Sequence, residues 1–231
     1  MSTLRMVVKE LLPAPALRMY RSVRDWLSPP PPPPPPAPSL VDTLLQGPLF
    51  DGDDALFKDH VARSRVYGEY GCGKSTIWVA HHAACEILSV DASADWIGTV
   101  ARLTAAAPRP PRMTHVDLGE VGDWGRPLTY TRRQHFRDYV SAPWSHPGRT
   151  PDVVLVDGRF RVASFLYSLL HAPPGTRIFF DDYVVRPYYH VVEEYCPPAE
   201  FCGRQALFVV PADIDRTAVE HEYERFLYVM D

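Results

Sequence analysis

From residue 65 onward, short apolar runs alternate with stretches of helical length, and this alternation constrains the fold more than anything else in the chain. The runs fall at 65–67, 87–90, 114–118, 153–156, 177–180 and 206–210, with a weaker one at 199–202. Helical candidates lie between them at 75–86, 94–106, 132–140, 161–171 and 188–195, and 214–230 reads as a final helix. Strands separated by helices of this length build βαβ units, whose parallel sheet is covered on both faces. The last two strands follow each other too closely for a crossover and predict an antiparallel edge hairpin. The expected architecture is α/β, a doubly wound and mostly parallel seven-stranded sheet with helices on both faces.

Two segments precede this pattern. Residues 1–28 interleave Val7, Leu11, Leu17, Tyr20 and Trp26 with Lys9, Arg18, Arg21 and Arg24, a basic amphipathic pattern broken near Pro13 and Pro15. Such a segment suits peripheral membrane or protein contact, or a helix lying on its own domain. Residues 29–38 contain eight consecutive prolines, Pro29 to Pro36, and predict an extended polyproline linker. The folded domain is expected at 39–231. With a net charge of −4, nothing overall favours nucleic acid. No run reaches the roughly 18 apolar residues that span a bilayer. Cys72, Cys85, Cys196 and Cys202 lack CxxC pairing and fit reduced thiols. These features predict a cytoplasmic protein.

The first strand-to-helix turn carries Gly68-Glu69-Tyr70-Gly71-Cys72-Gly73-Lys74-Ser75. Glycines there admit a ligand close to the backbone, and the helix N-terminus that follows favours negative charge. Gly68, Gly73, Lys74 and Ser75 satisfy the phosphate-binding pattern GxxxxGK[ST], with Asp157 as a candidate magnesium residue. Glu69 argues against that reading, because a carboxylate inside a phosphate cradle repels its ligand. The alternative is an acidic residue followed by xGxG, filled by Glu69, Gly71 and Gly73. It gains weight from Asp91, which ends the next strand and can accept hydrogen bonds from ribose hydroxyls, and from Asp117 after the third strand. Strand order separates the two: an antiparallel last strand beside strand five marks the second reading, and the Gly68 strand beside the one ending at Asp157 marks the first.

The stretch from about residue 65 to 211 resembles bacterial Rossmann-like, class I S-adenosylmethionine-dependent methyltransferase-type proteins. The residues that carry the resemblance are Glu69-Tyr70-Gly71-x-Gly73 with Ser75-Thr76, Ser89-Val90-Asp91, Val156-Asp157-Gly158-Arg159-Phe160-Arg161, Phe180-Asp181-Asp182-Tyr183 and Arg186-Pro187-x-Tyr189. The resemblance implies S-adenosylmethionine as cofactor, held by Glu69, Tyr70, Gly71, Cys72, Gly73, Ser75, Asp91, Ala92, Asp117 and Leu118.

Ligands of open α/β sheets sit beyond the carboxyl ends of the strands, so Asp157, Asp181 and Asp182 are the catalytic candidates, with His190 as a further base. One carboxylate can take a proton from an acceptor hydroxyl. Two or three together can instead hold Mg2+, an arrangement that looks like that of the catechol O-methyltransferases. The plainer reading is N-capping by Asp157 and Asp182. Arg159, Arg161, Arg186 and Tyr189 are the acceptor-binding candidates, and the arginines alternatively pair with these carboxylates. His81 and Cys85 share a helical face but lack a second ligand pair, which favours a structural role. The loop at 119–130, with Trp124, suits covering a ligand or packing on the core. The expected activity is methylation of a small-molecule or glycan-like hydroxyl. The alternatives are a P-loop nucleotide enzyme and a catalytically idle Rossmann binding module.

Overall fold

The computed structural model describes residues 39–50 and 53–231; the basic N-terminal segment and the polyproline run lie outside the described residues. The most apolar run, Val153–Val156, forms β4 at the centre of the sheet, with every residue buried. It pairs in parallel with β1 (Val66–Tyr70) on one side and β5 (Arg177–Phe180) on the other. Beyond β1 lie β2 (Glu86–Asp91) and β3 (Arg112–His115), and beyond β5 lie the antiparallel β7 (Gln205–Val209) and β6 (Glu200–Cys202). The order is β3-β2-β1-β4-β5-β7-β6, which confirms the seven-stranded, mostly parallel sheet with its antiparallel edge pair. β7 beside β5 meets the criterion set for the methyltransferase arrangement. β1 also lies beside β4, so that neighbour pair does not separate the two readings.

Short α1 (Leu40–Leu44) precedes α2 (Ala55–Ala62) and α3 (Lys74–His82). α2 and α3 pack Phe57, Val61, Val79 and Ala80 on one face of the sheet, against Tyr67, Ile87, Leu155 and Phe179. α4 (Ala94–Thr104) lies beside α3, with Val100 packed near Cys72 and Ile77, and Ser93 caps its N-terminus. The opposite face carries α5 (Phe136–Ser141), α6 (Arg161–His171) and α7 (Arg216–Phe226), which bury Phe136, Phe165, Leu169 and Tyr223 with Val154 and Phe180. α6 covers the same residues as the helix the sequence predicts. Among the described residues, no helix is long and apolar enough to cross a membrane. All four cysteines are free thiols.

The helix expected at 75–86 spans Lys74–His82, so Cys85 falls outside it, and three further differences bear on the site. β1 runs to Tyr70, past the apolar run, so Glu69 lies in the strand and not in the loop. β3 ends at His115, two residues before Asp117, because its only partner β2 ends at Asp91, the residue paired with His115. The apolar residues Val116 and Leu118 are buried as loop, not as strand. The segment expected as a helix at 188–195 is a 3-10 helix, Pro187–Glu194.

Candidate active site

Alternation along β1 sends Tyr67 and Glu69 to the α3 face and Tyr70 to the other. Glu69 is fully buried, and its carboxylate accepts from four hydroxyls: Tyr67 (2.9 Å), Ser75 (2.5 Å), Thr76 (2.5 Å) and Ser89 (2.9 Å). Burial raises its pKa, against the lowering effect of those donors. Thr76 Oγ1 also accepts the Gly73 N–H at 2.7 Å. Glu69, Ser75 and Thr76 therefore shape the glycine loop from beneath. Tyr70 likewise turns inward, donating to the Val140 carbonyl at 2.7 Å.

Asp91 holds the loop from the carboxyl end of β2. Its carboxylate accepts from the Cys72 N–H at 3.1 Å and the Ser93 N–H at 2.8 Å, and burial pushes its pKa up. Trp96 donates its indole N–H to the Cys72 carbonyl at 2.6 Å and fixes the loop from the α4 side. The two loop glycines do different work. Gly71 has φ +86° and packs against β4's end, where a Cβ would lie 2.8 Å from the Asp157 carbonyl oxygen. At Gly73 a Cβ would meet nothing within 4 Å, so the backbone there borders open space. Ala92 follows Asp91, and Gly125 of the loop at 119–130 lies over it, a Cβ at Gly125 falling 3.9 Å from the Ala92 Cβ. Trp124 at that loop's tip is 92% exposed with φ +59°. Asp117 is exposed and accepts the Gly119 N–H at 2.9 Å, whereas Leu118 is in the core.

Lys74 is not available to a phosphate. Its ammonium donates to the carbonyls of Gln46 (3.1 Å) and Pro48 (2.7 Å). Gly68, which would have to open a P-loop, sits inside β1, paired with Leu88 and Val154.

Past β4 and β5 the three carboxylates converge: one oxygen each of Asp157, Asp181 and Asp182 lies within 4.8 Å of the others, the only such group among the described residues. Arg161, at the start of α6, reaches Asp157 (2.9 Å) and Asp182 (3.1 Å); Arg186 reaches Asp182 (2.9 Å). Arg204, in the turn between β6 and β7, binds Asp181 through two nitrogens (3.0 and 2.6 Å) and also reaches Asp182 (3.1 Å). Side-chain exposure separates the carboxylates: 0% for Asp181, 13% for Asp182 and 29% for Asp157. Asp157 is the most exposed of the three. Desolvation pushes its carboxyl up to about 8, against the pull of Arg161.

Tyr189 is buried beneath this cluster, with the Arg161 and Arg186 guanidinium groups each 6.0 Å from its ring. His190 stands apart: its Nε2 meets the Tyr183 carbonyl at 3.1 Å and its ring stacks on Tyr183. Arg159 donates to the Asp231 carbonyl at 2.7 Å, and the Arg161 N–H donates to the Asp231 carboxylate at 3.1 Å. Asp231 thus supplies the cap that Phe160, at φ +51°, does not. Arg204 and Asp231 were missed in the sequence. His81 and His82 are held by the carbonyls of Leu103 and Trp78, which explains them structurally.

No family model matches the chain, and no curated protein does. Among solved structures, the chain is similar to a methyltransferase-like protein from Silicibacter pomeroyi, at 31% identity and a TM-score of 0.68 over 74% of this chain and 91% of that one. An O-methyltransferase from Bacillus cereus, solved in complex with SAH, matches at 17% identity and a TM-score of 0.47, over 82% of this chain and 96% of that one. The sheet order and the first of these likenesses give the assignment: the chain belongs to the class I, Rossmann-type S-adenosylmethionine-dependent methyltransferase-like family.

Proposed function

We propose that the chain is an S-adenosylmethionine-dependent methyltransferase acting on a hydroxyl of a small-molecule acceptor. The observation that carries this reading is the half-buried Asp91 carboxylate at the end of β2, beside a glycine loop whose Gly73 backbone borders open space. These residues fit a nucleoside: Asp91 would accept from ribose hydroxyls, and Gly73 leaves room for a ligand against the main chain. Bound S-adenosylmethionine supplies an electrophilic methyl group.

The protein's part is to align the acceptor and take its proton. Asp157 is suited to that proton, being the most exposed of the three carboxylates, with Arg161 fixing its orientation. With the cofactor bound, Asp157 would take the proton that the acceptor hydroxyl gives up. Burial raises this carboxyl to about 8, so the ionised fraction that can take the proton grows as pH rises through that value. Arg186, with its side chain 40% exposed, is the acceptor-facing cation.

Calorimetric titration with S-adenosylmethionine and with ATP–Mg2+ tests the cofactor assignment. Binding of the first and not the second is expected. ATP binding abolished by Lys74→Ala, with no response to S-adenosylmethionine, would overturn it. A screen of hydroxylated acceptors with labelled methyl donor then tests turnover. Transfer is expected to fall by about 10²–10⁴-fold in Asp157→Asn with cofactor affinity unchanged. Cofactor binding with no transfer to any acceptor would favour an idle binding module.

A further inference from the structure

We infer that Arg204 closes a guanidinium clamp that excludes a divalent cation from the Asp157, Asp181 and Asp182 cluster. The inference rests on placing the acceptor at this cluster, and it goes further by naming what compensates the charge there.

Three carboxylates within 4.8 Å repel one another unless cations intervene. Mg2+ is one solution, and it needs carboxylate lone pairs turned toward a common centre at about 2.0–2.1 Å. The structure uses the other solution. Arg161, Arg186 and Arg204 arrive from three different elements and place nitrogens 2.6–3.1 Å from the carboxylate oxygens. Three guanidinium charges match or exceed the charge of the three carboxyl groups, so a divalent ion would leave a surplus of at least two positive charges in a partly buried pocket. Proteins do not tolerate such a surplus without compensation.

Arg161 cannot swing aside to admit an ion. Its side chain is 6% exposed, and it also donates to the carbonyls of Gly158 (3.2 Å) and Asp181 (2.9 Å). Arg204 is the part that completes the clamp. It holds both oxygens of the fully buried Asp181 and one of Asp182, and among the described residues no other cation pairs with the Asp181 carboxylate. It is placed there by the antiparallel β6–β7 hairpin, which delivers its turn to the carboxyl end of β5. The residues present therefore do not fit a divalent metal, and Arg204 is a positioning residue that keeps the acidic cluster in order without one.

Mn2+ tests this, read by the loss of its free-ion electron paramagnetic resonance signal and by calorimetry, on the full chain and on two variants. The wild-type chain is expected to bind no Mn2+ at 1:1 stoichiometry up to about millimolar concentration, and to keep its melting temperature with or without EDTA. Arg204→Ala frees the Asp181 and Asp182 oxygens and should gain Mn2+ affinity of at least tenfold, with melting raised by the ion. Arg204→Lys, which restores the charge, should return to exclusion. Stoichiometric binding by the wild-type chain that is lost in Asp182→Asn overturns the inference, and that measurement requires no arginine variant to fold. Failure of Arg204→Ala to bind while folded also overturns it, since the arginine would then not be what excludes the ion. Titration with S-adenosylmethionine on the same samples tests the function separately, because cofactor binding and cation exclusion report on different strand ends.

Discussion

The Lys74 ammonium donates to the Pro48 carbonyl at 2.7 Å, tying the start of α3 to the segment that precedes α2. This one contact decides how the GxxxxGKS match is to be understood. A phosphate-binding lysine must reach forward over the loop, and this one reaches back to two main-chain carbonyls. Lys74→Ala should therefore leave S-adenosylmethionine affinity within about threefold. Losing these hydrogen bonds should cost about 1 kcal/mol, lowering the melting temperature by roughly 2–4 °C. Differential scanning fluorimetry and calorimetry on the variant check both numbers, and a collapse of cofactor binding would restore the phosphate-loop reading.

Asp91 links the cofactor site to pH. Burial raises its pKa, so protonation occurs above the ordinary carboxylate range of about 4. Only the ionised form accepts from two ribose hydroxyls at once. Affinity for S-adenosylhomocysteine should accordingly be weak at acid pH and strengthen as pH rises through the Asp91 titration. Asp91→Asn should bind at least tenfold more weakly at pH 7.5 and show a flatter profile. Calorimetry between pH 4.5 and 8 would measure this, and a wild-type profile matching that of Asp91→Asn would remove Asp91 from the site.

The sequence exposes Asp157 and the Asp181-Asp182 pair because they directly follow apolar runs that read as buried strands. It does not expose Arg204. That arginine meets Asp181 across 23 positions, through a hairpin whose turn position depends on the register of β7 against β5. Asp231 meets Arg161 across 70 positions, and no local pattern encodes that contact. Glu69 reads as a cofactor residue because it fills the acidic position before xGxG, although the apolar run stops at Tyr67. The strand continues to Tyr70, since main-chain pairing with β2 and β4 does not require apolar side chains. Period-two alternation then turns Glu69 to the α3 face, where Ser75, Thr76 and Ser89 make its burial tolerable. His190 is placed by the same kind of local geometry: residues 187–194 wind as a 3-10 helix, which stacks its ring on Tyr183.

The glycines around the loop should separate by phenotype. A Cβ at Gly158 would lie 2.3 Å from the Tyr139 hydroxyl and 2.6 Å from the Gly71 nitrogen, so Gly158→Ala must push β4's turn off β1's. A cost of about 3 kcal/mol is expected, or roughly 6–12 °C in melting temperature. Gly73→Ala meets open space and should fold normally, yet its methyl group intrudes where the cofactor would approach the main chain. The expected pattern is a stable Gly73→Ala with at least tenfold weaker cofactor binding. A Gly73→Ala chain with unchanged affinity would show that the ligand lies elsewhere.

Glu69 should act on the loop through Thr76, which donates to the carboxylate and accepts from the Gly73 N–H. In Glu69→Gln one acceptor oxygen becomes a donor, so at least one of the four hydroxyls must reverse or lose its bond. A buried unmet donor costs about 1–3 kcal/mol. Thr76→Val cuts the relay and keeps the titratable carboxyl, less one of its four donors. Both variants should weaken cofactor binding by loosening Gly73. The pH dependence distinguishes them. Because burial raises the Glu69 pKa, the folded state favours the protonated carboxyl over the unfolded chain. Its contribution to stability is therefore greatest below the unfolded value of about 4.3 and falls as pH rises through the folded value. Glu69→Gln should lose that part of the slope, and Thr76→Val should retain it. Urea unfolding of the three proteins between pH 4 and 8 measures the difference, and identical slopes for wild type and Glu69→Gln would show that the carboxyl enters the folded state without a shifted titration.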